Sequence, residues 1–86
     1  MEEVYFVEVK VKLDTPTNGA LFAATCSQYA EDIDFHYGSI VLDAKSVISV
    51  MSAELSTVCR VVMHTDDADM FNKFKEDIKM WIAEEA

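Results

Sequence analysis

The sequence predicts an α+β fold: one β-sheet in a two-layer, open-faced sandwich, with the element order β-α-β-β-α-β-α. Three observations carry this reading. Four short segments alternate apolar and polar residues with the period of a strand, and three others place apolar residues at the i, i+3, i+4 spacing of a helix. A chain of 86 residues is long enough for one hydrophobic core and too short for two, so residues 1-86 form a single domain. Three helices among four strands suit one sheet with the helices on one face, constrained by the right-handed crossover rule, and the other face open to solvent.

In the first segment Tyr5, Val7, Val9, Val11 and Leu13 alternate with Phe6, Glu8, Lys10 and Lys12, which predicts a strand with one buried face. Asp14-Thr15-Pro16-Thr17-Asn18-Gly19 is dense in turn and capping residues. The period then becomes helical, with Leu21, Thr25 and Tyr29 on one stripe flanked by Phe22, Cys26 and Ala30. The first helix is therefore expected from Asn18 or Gly19 to about Ala30. Ile33, Phe35 and Tyr37 alternate with Asp32, Asp34 and His36 in a second strand whose polar face is acidic. Gly38 turns the chain into a third strand, Ile40-Val41-Leu42.

A short helix then begins near Ser46, because Val47, Val50 and Met51 fall at helical spacing. Ser46 is its expected N-cap, and the amides of such a cap also suit a phosphate. A fourth strand over Val58 to His64 puts Cys59, Val61 and Met63 on one face and Arg60, Val62 and His64 on the other. Thr65-Asp66-Asp67 supplies caps for a last helix, whose buried stripe is Phe71, Phe74, Ile78, Trp81 and Ile82, with Lys73, Lys75, Glu76 and Lys79 outside it. The expected core comprises Val7, Val9, Leu21, Phe22, Tyr29, Ile33, Phe35, Val50, Met51, Val61, Phe74, Ile78 and Trp81.

Charge narrows the function. There are 16 acidic residues against 7 basic ones, a formal net charge of -9. Such a chain repels phosphate backbones and anionic lipid, so neither nucleic acid nor a membrane surface is an expected partner. It has no membrane-length apolar run and no leader pattern, and is read as a soluble cytoplasmic protein. Cys26 and Cys59 sit within a helical and a strand-like pattern and are read as small buried thiols rather than a disulfide. His36 and His64 fall on polar strand faces beside Asp34 and Arg60 respectively, without a Cys or His at metal-ligand spacing. No acid-base pair, Ser/His/Asp order or Gly-rich phosphate loop stands out, so neither an enzyme nor a metal or organic cofactor is expected.

The run Thr25-Cys26-Ser27-Gln28-Tyr29-Ala30-Glu31-Asp32-Ile33 through Lys45-Ser46-Val47-Ile48-Ser49-Val50-Met51-Ser52 resembles the corresponding region of HPr, the histidine-containing phosphocarrier of the bacterial sugar phosphotransferase system. The resemblance covers nearly the whole chain, and Lys45-Ser46 with the apolar run after it is its most specific piece. It implies a four-stranded antiparallel sheet with three helices on one face. It also implies a divergent, Crh-like member that lacks the active-site histidine. Thr15 stands at the family's histidine position, Thr17 at its arginine position, and Asn18 replaces its proline. A threonine ester is too stable for a phosphoryl relay, and the guanidinium fork for phosphate oxygens is missing, so phosphohistidine carrier activity is not expected there.

The family's serine at the Ser46 position is phosphorylated by a dedicated kinase, and the modified protein binds a transcriptional repressor. By resemblance Ser46 is the expected regulatory phosphorylation site, with Lys45, Val47, Ile48 and Met51 as the docking patch around it. The implied partners are an HPr-type serine kinase and a transcriptional regulator. The alternative is a diverged HPr-like protein-binding module that acts without phosphorylation, with Ser46 only a cap. A third class, a carrier using His36 or His64, is disfavoured by the placement of both on strands.

Overall fold

The computed structural model describes residues 6–83, and side chains from Glu8 onward. Tyr5, the side chain of Val7 and the Glu84-Glu85 tail lie outside the described residues. The element order is β1 (Phe6–Val11), α1 (Pro16–Cys26), β2 (Ile33–Tyr37), β3 (Ile40–Asp43), α2 (Val47–Met51), β4 (Cys59–His64) and α3 (Ala68–Asp77), followed by a 3₁₀ turn at Lys79–Trp81. The four strands form one antiparallel sheet in the order β1-β4-β2-β3. The expected α+β architecture is therefore present.

The pleat sorts the side chains into two faces. Register pairs Val9 with Val61, Val11 with Cys59, Ile33 with Met63 and Phe35 with Leu42, and these residues face the helices. Phe22 of α1, Val50 of α2, and Phe74 and Ile78 at the end of α3 are fully buried against that layer. Phe22 links the aromatic core, with its ring centroid 5.7 Å from Phe35 and 5.8 Å from Trp81. Aromatic pairs at this separation and tilt stabilise the core beyond their area burial. On the opposite face Glu8, Arg60 and His64 are exposed and Lys10, Asp34 and His36 half-buried.

Two expectations about α1 are corrected. The helix starts at Pro16, because Thr15 is its N-cap and a proline at the first helical position sacrifices no hydrogen bond. It ends at Cys26 rather than Ala30: Ser27 caps it, and the chain turns through Gln28 N–H to Thr25 O (3.1 Å) and Tyr29 N–H to Cys26 O (3.1 Å). Its buried stripe is also rotated by one residue. Gly19, Phe22, Ala23 and Cys26 face inward, whereas Leu21 is 51% exposed and does not belong to the core. The small residues explain the rotation. A Cβ on Gly19 would lie 3.1 Å from both Met51 Sδ and Leu55 Cδ1, tighter than ordinary contact, so glycine lets α1 sit this close to α2 and the loop after it without displacing those side chains. Met51 is likewise outside the core, half-exposed with its sulfur over Gly19.

Val7 apart, whose side chain is outside the described residues, the rest of the expected core is found, with Val9 packed on its margin and Leu13, Ala44, Ala53, Leu55, Cys59 and Met63 added. The last helix stops at Asp77, and the 3₁₀ turn carries Trp81 inward. The chain then runs beside β1, with Lys12 N–H donating to Trp81 O (2.9 Å) and Ala83 N–H to Lys10 O (2.8 Å).

Candidate functional site

Ser46 occupies the position its sequence context predicted. Its backbone is extended, and its hydroxyl oxygen accepts from Ser49 N–H at 3.2 Å, capping α2. The approach to this cap is fixed from both sides. Asp43 Oδ1 accepts from Lys45 N–H (2.9 Å), Asp43 O accepts from Ser46 N–H (3.0 Å), and the Ser27 hydroxyl donates to Lys45 O (3.1 Å). The last contact ties the start of α2 to the end of α1. Beneath this junction the Cys26 thiol is pushed up to about 12, chiefly by burial, with the Lys45 charge acting the other way and Asp43 adding to the rise.

The residues expected to form a docking patch lie on the same short helix and just before it. Lys45 and Ser46 are half-buried, Val47 and Met51 partly exposed, and Ile48 is 83% exposed. An isoleucine so open beside a capped serine is a surface that solvation alone does not favour. Leu21 is also exposed on the adjoining helix.

Thr15 and Thr17 do not join Ser46; they lie at the end of α1 that Met51 reaches. Residue 27 meets residue 45, whereas Gly19 meets Met51, so α1 and α2 run antiparallel. Thr15 and Thr17 lie at the opposite end of α1 from Ser46, about 16 Å away along an 11-residue helix. The loop there is internally satisfied. Thr15 Oγ1 accepts from Asn18 N–H (3.1 Å), Asn18 Nδ2 donates to Leu13 O (2.8 Å), and Asp14, held at a left-handed φ of 70°, donates its N–H to Leu55 O (2.7 Å). Thr15 has the capping geometry, and the Asn18 side chain bonds back to the chain.

The two histidines are paired across strands, not along them, which corrects the expected neighbours. His64 Nε2 is 2.7 Å from Asp34 Oδ2, and His36 Nδ1 is 3.2 Å from an Arg60 nitrogen that belongs to a guanidinium also bonded to Glu8 (3.1 Å). Period-two alternation put these residues on one face; only the β2–β4 register, which sets His36 opposite Arg60 and Asp34 opposite Val62, decides who meets whom. A second cluster escaped the sequence reading. The Tyr29 hydroxyl donates to Asp77 Oδ2, and Lys73 Nζ lies 3.3 Å from the same oxygen and 5.1 Å from the Tyr29 ring centroid. Burial and the Asp77 bond raise the Tyr29 phenol above its ordinary value, and the bond from Tyr29, with Lys73 nearby, holds the Asp77 carboxyl below its own. Among the described residues no group of three or more His, Cys, Asp or Glu is placed to hold a metal ion, and no helix is long and apolar enough to cross a membrane.

No protein-family model matches the chain, and no curated protein matches it either. Solved structures do. HPr-C-His from Thermoanaerobacter tengcongensis is 26% identical over 99% of this chain and 100% of its own, with a TM-score of 0.65. The phosphocarrier protein HPr from Bacillus anthracis str. Ames is 19% identical over 95% and 100%, also at 0.65. Crh of Bacillus subtilis, a swapped dimer, is 20% identical over 98% of each chain, at 0.57. The chain has an HPr-like fold. The likeness to these structures extends over essentially the whole chain.

Proposed function

We propose that this chain is a phosphotransferase-related regulatory protein switched by phosphorylation at Ser46, without phosphohistidine carrier activity. The observation that carries the reading is the Ser46 cap, a hydroxyl on the N-terminal amides of α2 beside Lys45 and the exposed Val47, Ile48 and Met51. A phosphoryl group on that oxygen adds close to two negative charges at neutral pH, and the amides and Lys45 are the nearby groups that offset them. The negative charge would sit next to an apolar strip, a combination that a transcriptional regulator with a basic and an apolar contact can read. The HPr and Crh neighbours support a protein of this class acting on protein partners in the cytoplasm rather than as an enzyme.

The loss of carrier function follows from chemistry. Thr15 offers no imidazole, and its oxygen is engaged as a helix cap. Docking to an HPr-type serine kinase would use Lys45, Val47, Ile48 and Met51. The alternative, a binding module that works unphosphorylated, uses the same apolar strip, and the exposure of Ile48 favours it equally until phosphate is added.

Intact-mass analysis after two parallel incubations tests the reading, one with an HPr serine kinase and ATP, the other with the upstream phosphotransferase enzyme and phosphoenolpyruvate. One phosphate gained only with the kinase, and absent in Ser46→Ala, is the expected result. No phosphate in either leaves the binding module, and an acid-labile phosphate in the second reaction overturns the exclusion of His36 and His64.

A further inference from the structure

The two edges of the sheet are treated differently. At β1 the C-terminal segment runs alongside, with an antiparallel bridge between Val11 and Ile82 and two backbone bonds around it. At β3 no further strand follows in the sheet order among the described residues. Ala44 N–H donates to Ile33 O (3.0 Å), and the register continues through Phe35 with Leu42 and Tyr37 with Ile40, so residues 40, 42 and 44 turn their backbone groups toward β2. Antiparallel alternation then turns those of Val41 and Asp43 outward. Asp43 O is taken by Ser46 N–H. The N–H and C=O of Val41 and the N–H of Asp43 make up the open edge.

The edge is guarded by its shortness and by the charge of Asp43, but Ile40-Val41-Leu42 carries no lysine, proline or bulge. Ile40 is 53% and Val41 56% exposed. Beside them lies an open cavity of about 490 Å³ lined in part by Asp32, Asp34, Val41, Asp43 and Lys45. Asp34 and Asp43 stand directly opposite each other across β2 and β3, a like-charge pair that a strand pairing disfavours; His64 Nε2 lies 2.7 Å from Asp34, and Lys45 lines the same cavity.

We propose that β3 is a strand-addition site for an extended, basic segment of a partner protein, one that alternates Lys or Arg with apolar residues. The partner's backbone bonds the Val41 and Asp43 groups; its cations lie on the face that carries Val41, Asp34 and Asp43, and its alternate, apolar side chains cover Ile40 and Leu42 on the other. The open edge is the site, and charge selects the occupant. A second copy of this chain is a poor occupant, because it brings another net charge of -9 against the same carboxylates. The site lies on the far edge of the sheet and needs no change at Ser46.

The test is a ¹H–¹⁵N titration of the full chain with a capped heptapeptide alternating lysine and valine, and with its glutamate-for-lysine counterpart. The lysine peptide is expected to shift the Val41 and Asp43 amides and slow their hydrogen exchange, and the glutamate peptide to do neither. Val41→Pro, which removes an outward N–H at an edge, should abolish the protection, and Val41→Lys should weaken binding at least tenfold while the folded spectrum persists. Shifts scattered over the acidic surface without protection of these two amides would overturn the proposal. So would shifts mapping to α1 and α2, the same protection arising without peptide in a dimer, or no binding at all.

Discussion

Truncating Phe74 to alanine probes the joint between α3 and the rest of the core. The ring is fully buried and packs edge-to-face on Tyr29, with centroids 5.4 Å apart at 82°. Burial of a side chain this size is worth about 1.5 to 3 kcal/mol, and the aromatic pair adds about 0.5 to 1.5. The void then decides how much more is lost. Tyr29 is held from its other end by the bond to Asp77, and α3 is anchored by Ile78 and Trp81, so the walls are poorly placed to collapse. The expected cost is therefore in the upper part of the usual range for Phe→Ala, about 4 kcal/mol. Against a total of roughly 4 to 13 kcal/mol for a chain of this length, that is a third of the stability or all of it. Urea unfolding followed by the fluorescence of Trp81, the sole tryptophan, is the assay, and the melting point should fall by about 15 to 30 °C. A loss below about 1 kcal/mol would refute the placement of α3.

Five further outcomes follow from particular contacts. Leu21→Ala should change stability by no more than about 0.5 kcal/mol in the same unfolding assay, because the side chain is on the surface. Ser46→Ala removes a helix cap and should cost about 1 kcal/mol, so a kinase experiment with this variant needs a check by circular dichroism that it is folded. Both cysteines are buried, and the Cys26 thiol is pushed up to about 12; a thiol reagent at pH 8 should react with neither until denaturant is added. The Asp77 carboxyl titrates lower in the folded state than unfolded, so its contribution is present above the ordinary carboxyl value and lost as pH falls through the folded one. Acid unfolding of Asp77→Asn should accordingly depend less on pH than that of the parent chain. Tyr29 has the opposite sign: its raised phenol contributes below the ordinary value and loses that contribution as pH rises past it, which an alkaline absorbance titration reads.

What was legible in the sequence is what depends on local spacing. Strand alternation in Val9-Lys10-Val11 and Ile33-Asp34-Phe35 identified faces, and the helical spacing of Val47, Val50 and Met51 identified Ser46 as a cap, whose bond to Ser49 closes within one turn. The face of α3 was readable since its charged and apolar residues are cleanly segregated. That of α1 was not. Ala20, Leu21, Phe22, Ala23 and Ala24 are apolar all round, so no stripe stands out, and the decisive residue is Gly19, which has no side chain for a hydrophobic pattern to register. The start of α1 was missed for a related reason: Pro16 belongs equally to a turn and to a first helical position, and only the Thr15 cap distinguishes them. Cross-strand partners such as His64 with Asp34 and Arg60 with His36 depend on register, which a single strand does not encode.

The antiparallel arrangement of α1 and α2 also bears on how function could be divided in this chain. A loop whose Thr15 oxygen, Asn18 amide and Asp14 N–H are already engaged within the chain has few groups left to grip a phosphate, and it has no arginine to add one. Ser46, at the far end of the helix pair, keeps its hydroxyl in a single bond to Ser49 beside an exposed Ile48. The β3 edge adjoins this cap, since Asp43 O accepts from Ser46 N–H and Lys45 lines the cavity beside it, but its open groups at Val41 belong to β3 and not to α2. Substituting Ile48 should therefore weaken a partner that docks on α2 and leave peptide addition at Val41 intact, and substituting Val41 should do the reverse. If either substitution abolished both, the two surfaces would be one interface, and the separation argued from the geometry would be wrong.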